Sequence, residues 1–158
     1  MKRAEDYYAP FEGRIKLMRL ISSTLGYGPM PFPDQEIEQR LTLTARGQVW
    51  FSNYLYGDGV THRAHRRERM TISREDTVRI LGLIADTFGR QPEPSIVTDV
   101  GMWELELVNK DGRSFRFVGS VVYRGYGDSL HRTSAELRSA LGMPRLVAFD
   151  GSLAKDET

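Results

Sequence analysis

The sequence predicts an α+β domain in which an antiparallel sheet of glycine-turned hairpins packs against two main helices, at residues 73–89 and 133–141. Three observations predict it. Apolar residues alternate with polar ones on both sides of Ala45-Arg46-Gly47, they do so again around Lys110-Asp111-Gly112, and a capped helical run opens at Ser73.

Residues 11–25 carry apolar side chains at helical spacing (Phe11, Ile15, Met18, Leu25) and at strand spacing (Ile15, Leu17, Ile21), so periodicity leaves this element open. Gly26-Tyr27-Gly28-Pro29-Met30-Pro31-Phe32-Pro33 lacks the backbone donors of a sheet interior and is a connector. In the first hairpin a three-residue loop ending at a left-handed Gly47 sets Leu43 opposite Val49 and Leu41 opposite Phe51. A two-residue loop would instead set Leu43 against Trp50, so the longer loop is preferred.

Past the loop at Gly57-Asp58-Gly59, residues 67–72 are expected to form a third, polar strand. The helix that follows has Ser73 as N-cap, Glu75 and Asp76 in a first turn whose dipole favours acids, and Gly89 as its stop. Val78, Leu81, Ile84, Ala85 and Phe88 are its predicted buried stripe, widened by Ile80 and Leu83. Gln91-Pro92-Glu93-Pro94 links to the second hairpin, where a loop closed by Gly112 sets Leu107 against Phe115 and Leu105 against Phe117. Trp103 joins that face, and Glu106 meets Arg116 on the other. A capping box, Thr133-Ser134-Ala135-Glu136, opens the second helix, which stops at Gly142. Leu146-Val147-Ala148-Phe149 reads as an edge strand, and residues 151–158 as a frayed tail.

At 158 residues the chain fits one domain, 1–158, with 1–35 its least defined part. Such a length buries roughly two-thirds of the surface its unfolded form exposes. Without cysteine there is no disulfide, thiolate nucleophile or Cys-ligated zinc. The opening Met1-Lys2-Arg3-Ala4-Glu5-Asp6 runs into acids, unlike a signal peptide, and no apolar run approaches the ~20 residues of a membrane span, so a cytoplasmic protein without membrane contact is expected. A net charge of +1 provides no general field for nucleic acid or anionic lipid, so electrostatic recognition has to be local.

The run Gly101-Met102-Trp103-Glu104-Leu105-Glu106-Leu107, then Asp111-Gly112 and Phe115-Arg116-Phe117-Val118-Gly119-Ser120, resembles a group of small proteins of unassigned activity found in clostridia-like bacteria. The likeness extends to Glu38-Gln39-Arg40-Leu41-Thr42, Gly47-Gln48-Val49-Trp50-Phe51-Ser52, Leu137-Arg138, Leu141-Gly142-Met143 and Phe149-Asp150-Gly151. It implies a folded bacterial protein and brings no catalytic or binding residues with it.

Four patterns bear on chemistry. Gly127-Asp128-Ser129-Leu130 spells the nucleophile block of an esterase and lipase family, which would make Ser129 a hydrolase nucleophile. No histidine here lies in the Asp-x-x-His arrangement that supplies that family's base, and His131 sits two positions from the serine. The basic segment 63–74, with Arg63, Arg66, Arg67, Arg69 and Arg74, could neutralise phosphates beside Tyr54 and Tyr56, or could be a solvated edge that resists aggregation. Asp58, His62 and His65 offer three metal ligands at a spacing that suits a helix better than the expected loop, and no metal or other cofactor is predicted. Trp50, Tyr54 and Tyr56 share one hairpin face. The ordinary expectation is that a helix or the N-terminal segment covers them, and if left open they are anchors for a protein partner. By elimination the sequence favours a non-enzymatic binding or accessory module using Trp50, Tyr54, Tyr56, Arg63, Arg66, Arg67 and Arg69, with another protein as partner, nucleic acid as the alternative, and oligomeric state undefined.

Overall fold

In the computed structural model, which describes residues 9–24, 30–90, 101–121 and 129–151, the chain forms six strands and two helices. These are β1 (Ile15–Ser23), β2 (Glu36–Thr44), β3 (Gln48–Leu55), β4 (Arg63–Thr71), α1 (Arg74–Gly89), β5 (Met102–Asn109), β6 (Ser114–Ser120) and α2 (Ser129–Leu141). All neighbouring strands are antiparallel, in the order β4-β3-β2-β1-β5-β6. The predicted α+β class, a sheet of glycine-turned hairpins with two helices, is the observed one.

Both hairpins have the expected register. Leu43 pairs with Val49 and Leu41 with Phe51, while Leu107 pairs with Phe115 and Leu105 with Phe117. Gly47 and Gly112 take φ values of 82° and 84°, the left-handed region that strains any residue with a Cβ, and each donates its amide back across its loop. The two hairpins are joined by β1, which pairs with β2 on one side and β5 on the other. Its ambiguous periodicity resolves as a strand because a central position satisfies its amides and carbonyls on both sides. Met18, Leu20 and Ser22 then point into the core.

The helices lie on one face of the sheet, and inward positions of β1, β2, β3, β5 and β6 join α1, α2 and residues 143–149 in a single apolar cluster, against which Met70 of the outer β4 packs. Its centre is aromatic: Phe88 of α1 meets Trp103 at 5.9 Å and Phe117 at 4.6 Å between centroids, and Phe149 lies 5.0 Å from Trp103. Burying rings of this size dominates the apolar contribution to stability.

Several expected boundaries move. β4 begins at Arg63 rather than residue 67, because Asn53 in β3 accepts the Arg66 amide and the ladder continues to the pair Leu55–Arg63. Ser73 caps α1 as expected, its hydroxyl accepting the Asp76 amide at 3.0 Å. The buried stripe of α1 is Thr77, Ile80, Leu81, Ile84, Thr87 and Phe88, and Val78 is 63% exposed, since covering elements meet only one side of the helix. Helix α2 starts at Ser129, four residues ahead of the expected capping box. Thr133 is therefore inside the helix, its hydroxyl donating to the Ser129 carbonyl, and Glu136 pairs with Arg79 of α1 instead of closing a cap.

Residues 146–149 do not form an edge strand. All four are buried, whereas an edge strand alternates, and Ala148 has φ 49°. The segment crosses the helix-covered face: Ser22 Oγ donates to the Ala148 carbonyl at 2.7 Å, and Gln39 Oε1 accepts the Val147 amide at 2.7 Å. Arg138, 5% exposed at its side chain, fastens the turn from within by donating to the Leu146 and Val147 carbonyls, the Asp150 carboxylate and the Gly151 carbonyl. The connector at 26–29, the linker 91–94 and the tail from 152 onward lie outside the described residues.

Candidate functional site

Side chains alternate across a strand, so once the helices fix the inner face, register assigns the residues of the outer face. Three rows cross it from β4 to β6. One row runs Arg69, Trp50, Thr42, Arg19, Glu106, Arg116; the next Arg67, Ser52, Arg40, Ile21, Glu104, Val118; the third Ala64, Tyr54, Glu38, Ser23, Met102, Ser120. Trp50 is 37% exposed and Met102 36%, while Tyr54 and Tyr56 are half-buried, so the aromatic strip that was expected to be covered is open at Trp50.

Over β2, β3 and β4 the face forms a shallow groove of about 620 Å3 lined by Arg40, Thr42, Trp50, Tyr54, Arg67 and Arg69 among others. Each ring carries a guanidinium: that of Arg40 lies 4.6 Å from the Tyr54 centroid and that of Arg69 5.9 Å from the Trp50 centroid. Stacking of this kind keeps an arginine extended across the sheet and leaves its N–H edge available for an acceptor. Arg40 also pairs with Glu38 at 2.8 Å, whereas Arg67 makes no ion pair among the described residues.

Over β1, β5 and β6 the same face has a smaller hollow, about 310 Å3, bordered by Arg19, Ile21, Glu104, Glu106, Arg116 and Val118. Glu106 is compensated twice, by Arg19 at 3.0 Å and Arg116 at 3.2 Å. Glu104 stands between Ile21 and Val118 with no ion pair among the described residues.

Of the seven residues singled out in the sequence, the fold brings Trp50, Tyr54, Arg67 and Arg69 together. Tyr56 lies beyond the end of β3, its ring 5.8 Å from that of His62 and its carbonyl 3.1 Å from His62 Nδ1. Arg66 and Arg63 pair with Asn53 and Leu55, which point to the helix side, and Arg66 bonds Glu68 and lies over the Phe51 ring. Arg74 begins α1, away from the face. Sequence reasoning did not single out Arg40, Arg19 or Glu104, and it set Glu106 against Arg116 without making either a site residue. The signal for the first was present, since the register it predicted sets Thr42 opposite Trp50 and so puts Arg40 on the same side.

The other patterns separate. Asp58 closes the loop after β3 by accepting the Val60 and Thr61 amides, which hold its carboxyl below the usual carboxylate range. His62 bonds the Tyr56 carbonyl, His65 sits at the irregularity in β4, and no group of three metal-ligating side chains occurs among the described residues. Ser129 starts α2. The neighbouring His131 gives its Nδ1 to Asp150 at 2.9 Å, and among the described residues no hydrogen bond joins Ser129 Oγ to an imidazole, the contact a serine nucleophile needs. No described helix is long and apolar enough to cross a membrane.

Comparison with protein-family models gives no match, and no curated protein is significantly similar to the chain.

Proposed function

We propose that the protein is a non-enzymatic, cytosolic docking module that binds another protein through the outer face of its sheet, centred on Trp50, Tyr54, Arg40, Arg67 and Arg69. The observation that carries this reading is an exposed tryptophan on a regular strand, ringed by arginines already ordered by stacking. Trp, Tyr and Arg dominate the energetics of protein interfaces, and ordering them before contact lowers the entropy lost on association. Edge pairing is disfavoured at β4, whose charged side chains resist a further strand, so the face rather than the edge is the contact. Nucleic acid fits less well: stacked bases need open ring faces, both rings here carry guanidinium groups, and the net charge is only +1.

A photo-crosslinking residue placed at Ser52, mid-face between Trp50 and Tyr54, tests the reading in the native cell. A crosslink to protein, weakened by Trp50→Ala, is expected. Crosslinking only to nucleic acid, or an equal yield with Trp50→Ala, refutes it.

A further inference from the structure

We draw no further inference here: the strongest candidate, the outer face of the sheet around Trp50 in the groove over β2, β3 and β4, belongs to the site already described, and nothing in the structure shows what covers it.

Discussion

Replacing Gly119 by alanine should cost about 3 kcal/mol, although the backbone conformation there suits any residue. Gly119 of β6 lies opposite Trp103 of β5, and an added Cβ would sit 2.4 Å from the indole Cζ2, 2.7 Å from Cε2 and 3.0 Å from Nε1. Carbon atoms in good contact are about 3.5–4.0 Å apart, so the overlap exceeds an ångström. The indole cannot retreat: it is 1% exposed and held edge-on by Phe88 at 5.9 Å and Phe149 at 5.0 Å. Overpacking costs about 1–3 kcal/mol, and an obstacle this rigid belongs at the upper end. At about 2–4 °C per kcal/mol for a chain of this size, Tm should fall by roughly 6–12 °C. Urea titration followed by circular dichroism, in parallel with calorimetry, measures the loss. Trp103→Leu in the same background should recover part of it, with a coupling of at least ~1 kcal/mol in the double-mutant cycle. Gly112→Ala is the control, because an added Cβ there meets nothing within 4 Å and only the left-handed backbone penalty of about 1–2 kcal/mol remains. A loss below ~1 kcal/mol for Gly119→Ala, or strictly additive behaviour with Trp103→Leu, would refute the steric argument.

Other consequences follow from single contacts. Arg138→Ala leaves the Asp150 carboxylate, 8% exposed, with His131 in place of its guanidinium partner and removes the donor to three carbonyls; a loss of about 3 kcal/mol is expected on chemical denaturation, and a loss under ~1 kcal/mol would show that the C-terminal turn does not depend on it. Ser73→Ala removes the cap of α1 and should cost about 1 kcal/mol in the same assay, with Ser73→Asp close to wild type; equal losses for both would exclude capping as the cause. The Asp58 carboxyl titrates below the usual range because the Thr61 and Val60 amides donate to it. Since folding lowers this pKa, the carboxylate holds the loop fully at pH values above that of an unfolded Asp and releases it as pH falls through the folded value. The Val60 and Thr61 amide resonances should shift with a midpoint below that of an unstructured Asp peptide, and a midpoint at or above it would contradict the assignment.

The hairpins were legible because local chemistry decides them. A glycine able to take positive φ fixes loop length, loop length fixes register, and register alone put Leu43 against Val49 and Leu107 against Phe115. The N-cap of α1 was equally readable, a hydroxyl three residues from the amide it accepts. Half of the candidate site followed for the same reason: Trp50 and Tyr54 alternate on one strand whatever covers them. Arg63 and Arg66 were grouped with Arg67 by adjacency in sequence, and the pleat of β4 sends them to the other side.

By itself, then, the sequence determined the turns, the facing of residues within each hairpin and the apolar composition of the core. Only the tertiary structure decided that residues 15–23 are a central strand, that residues 146–149 cross the sheet instead of extending it, and that Trp50 is left open. The physical reason is range. Hairpin geometry is set by neighbours along the chain, whereas a strand's place in a sheet, a segment's burial and a face's exposure depend on which distant surfaces meet, and β1 has partners on both sides only after both hairpins exist.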